Sequence, residues 1–185
     1  MKQAASFLNL VVAATFTFAS TPVFAQAPDI ASLLQELAQP GDNDRWMRVE
    51  RQVLREWGRS GSASIDYLFQ RGEAALAAGQ ADAAVDHFSV VIEQAPDFAE
   101  AWNGRASAYF LLNRLGQSLA DIEQVLRLNP HHFGALAGLG TVLEQLERPV
   151  DAMAAYRASL AIHPHQASVI EAIERLRLAS AGQAL

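Results

Sequence analysis

The sequence predicts an all-α protein, a solenoid of helix pairs stacked side by side. Three observations predict it. Pro96, Pro130 and Pro164 recur at intervals of 34 residues. Small and large apolar residues recur in step with them: Gly72, Ala106 and Gly140, then Ala84, Ser118 and Ala152, then Phe88, Ile122 and Tyr156. The stretches between the prolines accommodate two helices each. A proline lacks an N–H and disfavours helix in the residue before it, so each one closes the second helix of a pair. Small residues let the paired helices approach closely, and a larger side chain at such a contact costs about 1–3 kcal/mol by overpacking. No pair can bury both its faces alone, so neighbours must stack.

Taken in order, the chain opens with an export signal. Lys2 gives a positive start, residues 7–19 form an apolar run too short for a comfortable membrane span, and Val23-Phe24-Ala25 offers small residues to a signal peptidase. Cleavage is expected after Ala25, which makes residues 1–25 a signal peptide and the mature protein periplasmic or secreted; an uncleaved anchor is the alternative. The chain has no cysteine, so export brings no disulfide, and its formal net charge is −6 without a basic face, which argues against nucleic acid.

Residues 26–63 are expected to form capping helices and a linker. Ile30, Leu33, Leu34 and Leu37 make one helical stripe; Pro40-Gly41-Asp42-Asn43 breaks it; Trp46, Val49, Val53, Leu54 and Trp57 make a second. Asp44 or Asn43 can cap that helix and Gly58 can end it. Its tryptophan face is expected to pack on the first repeat and close that end of the solenoid, because terminal repeats need caps. Weak self-association through residues 44–57 is the other reading. Arg45, Arg48, Arg51, Arg55 and Arg59 are nearly balanced by Asp42, Asp44, Glu50 and Glu56, a salt-bridged solvent face.

The linker at residues 59–64 provides Ser62 or Ser64 as a cap. Helices are expected at about 64–78, 81–94, 98–112, 115–128, 132–146 and 149–162. Asp97 and Glu100 have capping-box spacing, and Pro149 sits where a first helical residue belongs. Residues 167–185 form a closing amphipathic helix with Val169, Ile170, Ile173, Leu176 and Leu178, followed by a frayed tail.

Aligned on their prolines, the blocks 65–98, 99–132 and 133–166 resemble tetratricopeptide repeats, whose pattern is W-x2-L-G-x2-Y, then A-x3-F, then P. The second block gives Trp102, Arg105, Ala106, Tyr109, Ser118, Ile122 and Pro130. The third gives Leu136, Leu139, Gly140, Leu143, Ala152, Tyr156 and Pro164, and the first Leu68, Arg71, Gly72, Ala75, Ala84, Phe88 and Pro96. Domain organisation is thus a signal (1–25), N-terminal helices (26–63), three repeats within 64–166 and a C-terminal cap (167–185).

The resemblance implies that the first helix of each pair lines a concave groove that binds a protein or peptide. Mapped onto this chain, the groove presents Asp66, Phe69, Glu73 and Leu76, then Glu100, Asn103, Ser107 and Phe110, then Ala137, Thr141 and Glu144. It holds apolar anchors and four carboxylates but no cation. Relatives that grip a peptide's terminal carboxylate do so with cations that are missing at the matching Phe69, Gly134 and Gly138. An amphipathic helix or extended segment with basic flanks suits this groove better.

Other polar residues are read as structural. Arg105 stands where the pattern usually has leucine and needs a partner, which Asp121 supplies, with Arg71 and His87 as possible members of the same network. His131, His132, His163 and His165 fall in two inter-repeat turns and are expected to be solvated; a zinc or copper site is the sharper alternative. No nucleophile–base set, phosphate loop or zinc-protease helix is present, so neither an enzyme, a cofactor nor a small-molecule substrate is expected. The expected function is a non-enzymatic adaptor of the bacterial periplasm. The alternatives are a metal-binding accessory protein using the histidine edge and a self-assembling protein using the Trp46/Trp57 helix.

Overall fold

A computed structural model describes residues 29–39 and 45–182. The signal, the break at residues 40–43, the capping residues Asn43 and Asp44, and the last residues of the tail lie outside them. The described residues form helices only: α1 (Ile30–Leu37), α2 (Arg45–Trp57), α3 (Ala63–Ala77), α4 (Ala81–Gln94), α5 (Ala99–Leu111), α6 (Leu115–Leu128), α7 (Phe133–Gln145), α8 (Pro149–Ile162) and α9 (Ala167–Gly182). The pairs α3/α4, α5/α6 and α7/α8 stack in sequence, and α9 follows as an unpaired first helix.

The core is made by one large side chain per repeat lodged between small ones. A Cβ on Gly72 would lie 2.5 Å from the Phe88 ring, and one on Gly104 the same distance from it. The Phe88 ring, fully buried, is therefore clamped between the first helix of its own repeat and that of the next. Tyr156 repeats the arrangement against Gly140, where a Cβ would lie 2.4 Å from its ring. Gly140 thus marks a tight crossing, as expected of a small residue between paired helices, and the atoms nearest to it across that crossing belong to the Tyr156 ring. In the middle repeat Ile122, smaller than a ring, sits with Ala106 and leaves a Cβ on Gly138 at an ordinary 3.9 Å.

Each first helix ends the same way. Gly79, Asn113 and Glu147, at matching places, have φ of 71°, 56° and 56°. The next residue donates back to the helix: Gln80 N to Ala75 O, Arg114 N to Tyr109 O and Arg148 N to Leu143 O, each 2.8–2.9 Å. These are Schellman terminations, which favour glycine or asparagine at the left-handed position. Pro149 is the first residue of α8, as expected. The capping box is not formed: α5 starts after Phe98 without a side-chain cap, and Glu100 bonds elsewhere. Neither Ser62 nor Ser64 caps α3; instead Asp66 reaches back to Ser60, accepting from its N at 2.8 Å and its Oγ at 2.6 Å.

The N-terminal helices do not close the first repeat. Leu33, Leu37, Val49 and Val53 form a cluster with Phe133, and Trp46, Trp57 and Ile162 pack against it. The α1/α2 hairpin therefore lies across the inter-repeat turns and reaches the third repeat. Among the described residues nothing closes the end face of the first repeat, which carries exposed Tyr67, Gln70 and Ala74, where the second repeat buries Ala101 and Ala108 and half-buries Gly104 against its neighbour. The physical reason is chemical fit. The turns offer aromatic and imidazole rings to two tryptophans, with Phe133 and Ile162 as apolar surface beside them. Trp46 and Trp57 of α2 are consequently engaged within the chain, which does not favour the alternative reading of self-association through residues 44–57.

Candidate functional site

The concave face is built from the first helices, whose residues three and four apart share a side. Five residues assigned to the groove, Leu76, Asn103, Ser107, Phe110 and Thr141, converge on a single cleft of about 400 Å³ between the first, second and third repeats. Leu111, Gly134 and Gly138 complete its walls, and no charged side chain lines it. Asn103 and Ser107 are a turn apart on α5, with Ser107 Oγ donating to Asn103 O at 3.0 Å. The Asn103 amide makes no hydrogen bond to another described side chain and faces the cleft. Thr141 Oγ1 sits 3.2 Å from Tyr156 Oη. Leu111, 60% exposed, was missed by the sequence reading because it falls one position beyond the mapped face.

The other assigned residues do different things. Phe69 is not an anchor for a partner. It is 7% exposed, tilted on Phe88 at 5.6 Å and edge-on to Phe98 at 5.0 Å, because the first repeat fills its own core from this position. Asp66 is committed to Ser60, and those hydrogen bonds hold its carboxyl below the usual range. Glu144 accepts from Tyr156 Oη at 2.6 Å and from Arg175 Nη2 at 2.9 Å. The α9 helix thus brings a cation to a groove read as having none. Burial, followed by that bond to Glu144, pushes the Tyr156 hydroxyl up to about 12. Glu73 does not line the cleft; its carboxylate makes no ion pair with a described residue and is held above its usual value by partial desolvation and then by Glu100. Ala137 packs in the core beside Leu143 and Tyr156.

Arg105 and Asp121 pair as expected, two-pronged, at 2.8 and 2.9 Å. The third arm of Arg105 goes to Ser89 at 3.1 Å, and its plane lies over Trp102 and Tyr109. Arg71 is exposed and takes no part; His87 is not bonded to this network either.

The turn histidines are the main departure. His132 and His163 are 2% and 1% exposed, so they are not solvated. His132 accepts the Ala135 N–H at Nδ1 (3.0 Å), capping α7, while Nε2 meets Glu100 at 2.9 Å. His163 Nε2 meets Glu50 of α2 at 3.2 Å, and its Nδ1 has no partner. Burial, opposed by Glu50, holds the His163 imidazole below its ordinary pKa. Trp57 stacks on His132 at 4.8 Å and Trp46 on His165 at 5.0 Å. The signal was present: His132 stands in the register of Phe98, a position whose neighbours are apolar. Among the described residues no three His, Cys, Asp or Glu side chains are grouped to hold a metal ion.

Comparison with known proteins places these features. The tetratricopeptide repeat family model matches residues 69–121 and 112–167. A TPR repeat-containing protein of Rhizobium etli is 33% identical over 150 residues, which are 81% of this chain and 74% of that protein. The Hsp70-Hsp90 organizing protein of Triticum aestivum is 33% identical over 94 residues, 51% of this chain but only 16% of that protein. Among solved structures, the first TPR of Spaghetti (RPAP3) bound to the HSP90 peptide SRMEEVD superposes with a TM-score of 0.61 at 22% identity, covering 63% of this chain and 95% of that one.

Proposed function

The chain belongs to the tetratricopeptide repeat family, and on that premise we propose that it is a non-enzymatic adaptor that binds a protein or peptide segment in its concave cleft, after export to the bacterial periplasm. The observation that carries the reading is the uncharged cleft of about 400 Å³ lined by Leu76, Phe110 and Leu111. Exposed apolar side chains in a concave, preformed site are what a partner's apolar side chain displaces water from. Gly134 and Gly138, without side chains, leave room for a partner backbone to come close. The free amide of Asn103 supplies a donor and an acceptor for that backbone. An acidic peptide end such as that of SRMEEVD finds no Lys or Arg in this cleft, so the favoured occupant is an amphipathic segment with apolar anchors and basic flanks. Glu73, a turn before the cleft residue Leu76 on α3 and without a counter-ion among the described residues, is the carboxylate such flanking cations would reach.

The test is a photo-reactive residue at Leu111 in the tagged, full-length chain, crosslinked in cells. The expected product is a discrete crosslinked partner that is lost in a Phe110→Asp variant that still unfolds cooperatively well above the assay temperature. Crosslinks insensitive to that change would move the site off the cleft. N-terminal sequencing checks export: the mature chain should begin at Gln26, and an intact Met1 on the accumulated protein would refute it.

A further inference from the structure

The edge formed by the inter-repeat turns already takes up aromatic side chains. Trp57 stacks at the turn between the second and third repeats, and Trp46 one repeat further along. Among the described residues no hairpin ring stacks on the turn between the first and second repeats, at residues 95–98. A cavity of about 450 Å³ lies there instead, walled by Ile30 and Leu34 of α1, Trp57 of α2, and Phe98 and Ala99 of the solenoid. Ala99 stands in the register of Phe133, the residue on which Trp57 tilts at 5.2 Å. A methyl group in place of that ring leaves the space open.

From this we infer that the cavity is a third aromatic slot of the same edge, and that it takes a tryptophan side chain from a partner protein. The slot is continuous with the interface that seats Trp46 and Trp57, and its volume is within the range of small-ligand sites, about 300–1,000 Å³. Its rim explains the preference for indole. Asp97 lines the mouth and makes no hydrogen bond or ion pair with any described residue. An indole carries one N–H donor and no acceptor, so a free carboxylate at the rim satisfies it, which phenylalanine or leucine cannot use. Glu56 and Glu100 add negative charge to the same mouth against Arg59 and His131, so a tryptophan beside a lysine or arginine fits best. This slot is on the turn edge and is independent of the concave cleft.

The experiment is an NMR titration of the full chain with N-acetyl-tryptophanamide, and in parallel with the phenylalanine and leucine analogues. Tryptophanamide should produce saturable shifts at the amides of residues 97–100 and 30–34, phenylalaninamide weaker ones, and leucinamide none. Ala99→Phe, which rebuilds the next repeat's residue inside the slot, should abolish them. Because that change touches the start of α5, Ala31→Trp plugs the slot from the exposed surface of α1 and should do the same. Phe110→Ala, in the concave cleft, should leave them intact. The inference is overturned by an absence of saturable shifts in the unaltered chain, by an equal response to leucinamide, or by shifts that survive both plugs.

Discussion

Replacing Gly140 with alanine puts a methyl carbon 2.4 Å from Cε1, 2.5 Å from Cδ1 and 2.8 Å from Cζ of Tyr156. Carbon atoms do not sit at such distances, so a helix or the ring must move. The ring has little freedom to do so. It is 3% exposed, its hydroxyl is bonded to Glu144 at 2.6 Å, and Glu144 is in turn held by Arg175. Against the strain stands alanine's better helix propensity, worth about 1 kcal/mol. Overpacking in a close-packed site costs about 1–3 kcal/mol. The balance predicts a net loss of about 1 kcal/mol for Gly140→Ala and more for Gly140→Leu. Gly116, in α6, is the control, since a Cβ there meets nothing within 4 Å. Gly116→Ala should stabilise, by up to about 1 kcal/mol. Urea denaturation at constant slope reads both changes as shifts of the midpoint. Amide exchange should also quicken in α9, which packs on this repeat. A midpoint for Gly140→Ala that rises as it does for Gly116→Ala would refute the crossing geometry and with it the close pairing of α7 and α8.

Three further predictions follow from particular contacts. Phe69→Ala should cost about 3–5 kcal/mol in denaturant, a core truncation, whereas Phe110→Ala should cost clearly less and act on partner capture. Glu147→Gly should raise the unfolding midpoint by about 1 kcal/mol, because a left-handed backbone conformation strains any side chain but suits glycine. The third concerns pH. The His163 pKa is lower folded than unfolded, so between the two values the unfolded chain binds more protons. Stability contributed by the neutral ring is present above the unfolded value of about 6.5 and is lost as pH falls below it. The α1/α2 hairpin should therefore loosen as pH falls below about 6.5, seen as a change in tryptophan fluorescence and a falling midpoint. A pH-independent midpoint there, or one with the same slope in His163→Phe, would remove His163 from this role.

The repeat core was legible because it is written locally and repeatedly. Proline fixes where a second helix stops, and a small residue facing a large apolar one a helix away recurs at a constant interval. The Arg105–Asp121 pair was legible for the same reason, through its spacing across one turn. The placement of α1 and α2 was not. Their stripes show that each has an apolar face, but hydrophobicity is non-directional, so the stripe does not choose between the end of the first repeat and the turn edge. The burial of His132 and His163 depends on that choice, since it is the hairpin that covers them. Phe69 misled because the first repeat has no predecessor and uses that position for its own core. The cleft was half legible: five of its residues lay on the mapped face, while the carboxylate of Glu144 was neutralised by Arg175, from a helix beyond the repeats.

The hairpin across the turns changes the order in which this protein can fold. Glu50 and His163 are 113 residues apart, and His165 and Gln39 are 126 apart. In a plain solenoid each repeat touches only its neighbours, folding can start anywhere, and ends fray independently. Here the N-terminal segment has its binding surface made late, because Phe133, Ile162 and His163 must first be brought together by folding of the third repeat. Trp46 and Trp57 stay without their partners until then. Once docked, the hairpin closes the chain into a loop, so the third repeat can open only by releasing the N-terminal helices as well. Contacts so distant in sequence slow the final step. They also couple the two ends of the molecule, so that it should unfold as one unit instead of repeat by repeat.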